Sequence, residues 1–125
     1  MIKHFLLPLT LALSAQAMPD YKEVKPLIDK YCVSCHGPDK QKSKLRLDSP
    51  EGILLGGDSG EPVFVAGDSA NSHLIKLVTG AAPDEVMPPK GDRLSNEDVL
   101  KLQLWIDEGA PLKRRPQHHA PHDGL

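Results

Sequence analysis

Large rings are scarce in this chain of 125 residues, which has two phenylalanines, two tyrosines and one tryptophan. A small domain gains little from so thin a core, so a buried cofactor or a cross-link is expected to supplement it. Cysteine is equally sparse. Cys32 and Cys35 stand alone, and one disulfide, between the two, is the most that the chain can form. The formal charge of −2 is too near neutral to mark nucleic acid or anionic lipid as a partner. No apolar run reaches the roughly 20 residues that a membrane-spanning helix takes, and no segment repeats. Proline and glycine are plentiful, twelve and ten residues, and they imply much turn and loop.

The N-terminus reads as an address. Lys3 supplies a positive charge, Phe5 to Ser14 form a short apolar run broken by Pro8, and Ala15-Gln16-Ala17 is a small-residue cleavage site. Residues 1–17 are therefore expected to be a signal peptide. Export to the periplasm or beyond follows, with no stable membrane insertion after cleavage. One domain over 18–112 and a flexible tail over 113–125 are expected to remain.

Val24, Leu27, Ile28 and Tyr31 recur on one helical face, which predicts a helix over Tyr21–Cys35 with Asp20 as its cap. Pro26 suggests that its regular part begins near Lys25. Residues 37–67 read as irregular, with Leu45-Arg46-Leu47 and Val63-Phe64-Val65 as short extended pieces around a turn-forming cluster, Gly56 to Gly60. A second helix is expected to carry Leu74, Ile75 and Val78, capped by Asp68 or Ser69 and closed by Gly80. A third opens at Ser95, buries Val99, Leu102 and Ile106 with Trp105 beside them, and stops at Gly109.

Cys32-Val33-Ser34-Cys35-His36 is the pattern of covalent haem attachment. Two thiols three residues apart can each add to one vinyl group of a single porphyrin, and the next residue places an imidazole under the iron. The rival readings are a Cys32–Cys35 disulfide, a thioredoxin-like redox pair without the expected βαβ unit, and a zinc site completed by His73 or tail histidines. The export signal, the adjacent histidine and the thin core favour haem.

Thioether ligation is one standard way to complete the iron's coordination, and it raises the reduction potential. Met1 falls in the leader and Met18 at the new terminus, which leaves Met87, stiffened by Pro88 and Pro89. His73 is the competing ligand, and an open position is the third possibility. Arg46 and Arg93 are candidates for the haem propionates, and Trp105 is read as core. The glycine cluster lacks the lysine and hydroxyl residue of a phosphate loop and is expected to let backbone pass close to the macrocycle. His118, His119 and His122, with Lys113, Arg114 and Arg115, make a basic tail that reads as a solvated end, with weak metal binding as the rival.

A series of short motifs resembles the planctomycete-type cytochrome c domain, a branch of the cytochrome c superfamily. They are Cys32 to Pro38, Lys44-Leu45-Arg46-Leu47-Asp48-Ser49, Gly56 to Gly60, Gly67-Asp68, Ser72-His73-Leu74-Ile75, Met87-Pro88-Pro89, Leu94-Ser95 and Trp105 to Ala110. Ala66 stands where that family usually has proline. The resemblance implies a small all-α cytochrome c-like fold of about three main helices around one covalent haem c, with long loops. Its first and last helices would pack together across the haem edge, and His36 and Met87 would be the axial pair. The function then expected is single-electron transfer between redox partner proteins by a monomer with no substrate turnover. A haem-based sensor or small-ligand binder with a labile or open distal site is the alternative. A haem-free exported module held by a disulfide is the third reading.

Overall fold

Asp20 opens the first helix. Its carboxylate accepts from the Lys22 amide at 2.9 Å, and the Glu23 carboxylate accepts from the Asp20 amide at 2.8 Å, so two otherwise orphaned amides at the helix start are satisfied. The computed structural model describes residues 18–82 and 85–113. The signal peptide expected over 1–17 and the tail residues Arg114, Arg115, His118, His119 and His122 lie outside the described residues.

Helix α1 runs Tyr21–Tyr31, straight through Pro26. The regular helix therefore starts earlier than the proline suggested. The carbonyl that Pro26 leaves without an amide is that of Lys22, on an exposed turn where water can reach it. The helix also stops earlier than expected. Val33 reaches back to the Ile28 carbonyl that Cys32 already uses, at 3.2 and 2.9 Å, and this shared acceptor breaks the regular ladder. Cys32 to Cys35 consequently sit on a turn beyond the helix.

Helix α2, Pro50–Leu55, falls where the sequence read as irregular. Ser49 caps it by accepting from Gly52 at 3.1 Å, and Pro50 occupies the first turn, where its missing amide costs nothing. The predicted second helix is divided. Asp68 caps a single 3-10 turn over Ser69–Asn71, and helix α3 then spans His73–Thr79. Gly80 closes α3 in the left-handed region, at φ 80°, which glycine enters without a steric penalty. Helix α4, Asn96–Asp107, starts at Ser95, whose hydroxyl accepts from the Asp98 amide at 3.1 Å.

The described residues are all helix, turn and loop, without a strand. The extended pieces at 45–47 and 63–65 pair with nothing regular, and the single isolated bridge joins His36 to Gln41. The fold is all-α, as expected, with four helices among the described residues where about three were predicted. Helices α1 and α4 pack together, and α3 packs on α4. The core joins Val24 and Ile28 of α1 to Ile75 and Val78 of α3 and to Val99, Leu102, Trp105 and Ile106 of α4, with Leu47 and Ile53 closing it. Trp105 is fully buried and packs edge-on against Phe64, their centroids 5.2 Å apart. Its indole N–H donates to the Pro111 carbonyl at 2.9 Å, which ties the segment after α4 back to the core. The loop ahead of α3 is held to the end of α4. Asp107 accepts from the Ser69 amide and hydroxyl, at 2.8 and 3.0 Å, and Gly67 donates to the Ile106 carbonyl at 2.7 Å.

Candidate functional site

The packing of α1, α3 and α4 leaves the segments between them to enclose a cavity of about 1130 Å³. That exceeds the roughly 300–1,000 Å³ of an ordinary small-molecule pocket and suits a large planar group. Cys32, Cys35, His36 and Met87 all line it, and so does His73. Leu45, Leu47, Val63, Leu74, Leu77, Val78 and Leu94 make much of its wall apolar.

His36 is held from behind. Its Nδ1 lies 3.1 Å from the Lys42 carbonyl oxygen. A carbonyl can only accept, so Nδ1 carries the proton and Nε2 keeps its lone pair as a metal ligand. The backbone carries the ring to this place through two more bonds: the His36 amide donates to the Cys32 carbonyl at 2.9 Å, and Lys42 donates to the Cys35 carbonyl at 3.0 Å.

Both cysteines are free thiols. Burial, and then the nearby Cys35, push the Cys32 thiol up to about 11. A dithiol redox pair needs the opposite, a thiol whose pKa is lowered into the working range. The environment of Cys32 therefore does not support the thioredoxin-like reading. Among the described residues no three His, Cys, Asp or Glu side chains cluster to hold a metal ion, so His73 does not join the two cysteines in a zinc site.

Met87 follows α3 and is anchored by its own amide, which donates to the Leu77 carbonyl at 3.0 Å. His73, on the first turn of α3, faces Glu85 with Nε2 3.5 Å from a carboxylate oxygen, and both side chains are about half exposed. Both candidate distal ligands thus line the cavity that His36 also lines.

The two candidate arginines face groups of the chain itself. Neither lines the cavity. Arg46 is engaged by Asp48 through two bonds, at 3.0 and 2.6 Å. The guanidinium of Arg93 covers Gly80 so closely that a Cβ there would meet it at 2.8 Å. Lys30, Lys40, Lys42 and Lys90 line the cavity instead, and the sequence offered no periodic or motif signal to single them out. The glycine cluster reaches the cavity and also packs on a neighbouring turn. Gly57 lines the cavity, but its closest approach is to the Ser43 carbonyl, which a Cβ would meet at 2.7 Å. Among the described residues, no helix is long and apolar enough to cross a membrane.

The donor set fits a covalently bound haem: two thiols and an imidazole on one turn, a thioether on another segment, and a large, mostly apolar space shared by all of them. Residues 32–91 match the family model described as Planctomycete cytochrome C. No curated protein and no solved structure matches the chain. The matched segment holds the whole attachment motif, Met87 and most of the cavity wall, and it is similar to the cytochrome c domains of the planctomycete type.

Proposed function

We propose that the chain is an exported monohaem c-type cytochrome that passes single electrons between redox partner proteins. Cys32 and Cys35 hold the haem by thioether bonds, and His36 and Met87 are its axial ligands. The observation that carries this reading is the meeting of Cys32, Cys35, His36 and Met87 on one cavity of about 1130 Å³. When bound, the haem supplies a one-electron ferric–ferrous couple.

The chain's own residues make that couple useful. The Lys42 carbonyl fixes the tautomer of His36 and makes its Nε2 more basic. The backbone bond from Met87 to Leu77 fixes the opposite segment. Ligands held in both oxidation states move little between them, which keeps the barrier to electron exchange low. Leu45, Leu47, Val63 and Leu74 give the cavity an apolar wall on which the macrocycle would pack. The single Cys-x-x-Cys-His motif in the sequence supports one haem, and the leader over 1–17 supports export. Such a carrier turns over no substrate.

The test is expression with a haem-maturation system, followed by oxidised and reduced spectra and intact mass on one sample. A covalent haem, with the far-red charge-transfer band of a methionine-ligated ferric iron, supports the carrier. A covalent haem without that band favours the second reading, a sensor or ligand binder. The place of His73 on the same cavity makes that reading specific.

A further inference from the structure

We propose that Gly57 is a positioning residue for the His36 imidazole, acting through the turn that supplies its hydrogen-bond acceptor. The proposal rests on the reading of His36 as an iron ligand. The Lys42 carbonyl accepts from His36 Nδ1 at 3.1 Å and from the Leu45 amide at 3.1 Å. The turn that carries it is strained. Ser43 and Lys44 both lie in the left-handed region, at φ 56° and 55°, where residues bearing a Cβ are disfavoured and persist only when their surroundings hold them.

The Gly56 to Gly60 loop provides that hold. Asp58 donates its amide to the Ser43 carbonyl at 2.8 Å. Gly57 lies flat beneath the same carbonyl: a Cβ at position 57 would stand 2.7 Å from the Ser43 oxygen and 3.3 Å from the Leu45 Cβ. Both obstacles are rigid parts of the chain, backbone or Cβ, so the turn itself must move if residue 57 gains a side chain. Moving the turn moves the Lys42 carbonyl and loosens its bond to His36. Gly60 supplies the contrast within the same loop. At φ 75° a Cβ there is strained in its own backbone and is expected to cost stability, yet it meets nothing within 4 Å and so does not push on the turn.

The direction of the effect follows from the chemistry. A carbonyl that draws on the Nδ1 proton makes the imidazole a stronger electron donor, which favours ferric iron. Loosening that bond favours ferrous iron and raises the reduction potential.

The experiment compares Gly57→Ala and Gly60→Ala in the haem-loaded, full-length chain by redox titration and by proton NMR of the His36 ring. Gly57→Ala is expected to change the ferric-to-ferrous ratio at a fixed applied potential on the order of tenfold, an upward shift of about 59 mV for one electron. Its His36 Nδ1–H resonance is expected to move upfield and to exchange faster with solvent. Gly60→Ala is expected to change neither. If Gly57→Ala yields no holoprotein, Asp58→Pro removes the other contact on the Ser43 carbonyl and is expected to move both readouts the same way. Unchanged readouts in a folded variant, or equal shifts in Gly60→Ala, overturn the proposal. Absence of haem-shifted His36 resonances in the unmutated protein overturns instead the ligand assignment on which it rests.

Discussion

Trp105 is the joint between the helical core and the site, and removing it in steps separates its contributions. The ring is fully buried, its edge meets Phe64 at 5.2 Å, and its N–H reaches the Pro111 carbonyl at 2.9 Å. It also lines a void of about 20 Å³ together with Leu27, Cys32 and Phe64, so space opened by its loss runs toward the attachment cysteine. Trp105→Phe keeps an aromatic ring in the core and deletes the N–H. The lost hydrogen bond costs about 0.5–1.5 kcal/mol, which lowers the melting temperature by about 4–8 °C for each kcal/mol in a domain of this size. Trp105→Ala removes the whole ring and is expected to cost about 3–5 kcal/mol. A domain of this kind holds only about 5–15 kcal/mol in total, so that variant should sit near the edge of folding. Urea titration of the haem-loaded variants, followed by tryptophan-independent far-ultraviolet circular dichroism, measures both. A Trp105→Phe variant as damaged as Trp105→Ala would refute the division of roles. A Trp105→Ala variant within about 1 kcal/mol of the parent would refute the claim that this ring anchors the core.

Three further outcomes follow from particular residues. In the haem-free chain, alkylation of Cys32 should show a midpoint near pH 11, because burial holds the thiol neutral; a midpoint at the ordinary thiol value would contradict that environment. The folded state binds this proton more tightly than the unfolded chain does. Its contribution, on the order of 2–3 kcal/mol at most, is therefore complete below about pH 9 and lost as pH rises through about 11. Haem attachment consumes the thiol and should abolish this dependence in denaturation curves. Gly80→Ala forces a Cβ into the left-handed region and against the Arg93 guanidinium at 2.8 Å, and should cost at least about 1–2 kcal/mol; a stabilised variant in thermal melts would contradict the C-cap assignment. His73→Ala breaks a half-exposed pair with Glu85, should change stability by less than about 1 kcal/mol, and should keep the far-red band if Met87 is the ligand.

What could be read from the sequence was local. Asp20, Ser95, Gly80 and the apolar spacing of Val24 and Ile28, or of Val99, Leu102 and Ile106, announced α1, α3 and α4, because caps and periodicity are written in neighbouring residues. Helix α2 is too short to show a period, although Ser49-Pro50 marks its start. The end of α1 was misplaced because the choice between Cys32 and Val33 for the Ile28 carbonyl is made by backbone geometry and leaves no trace in residue type. The attachment motif was legible for the same reason as the caps, and Met87, singled out by elimination among three methionines, lines the same cavity. Nothing pointed to the Lys42 carbonyl behind His36, since every residue carries a carbonyl and only tertiary structure selects one. Arg46 was read as a propionate candidate, and its pairing with Asp48, two residues away, was not singled out in the sequence.

One covalent haem held between His36 and Met87 is the occupant proposed for this cavity. The most direct measurement is the oxidised spectrum and intact mass of the matured full-length chain beside Met87→Ala. Both proteins are expected to carry the mass of one haem, with the far-red methionine band present in the parent and lost in the variant. A parent protein without covalent haem, under conditions that mature a control cytochrome, would contradict it; a band that survives Met87→Ala would contradict the ligand pair.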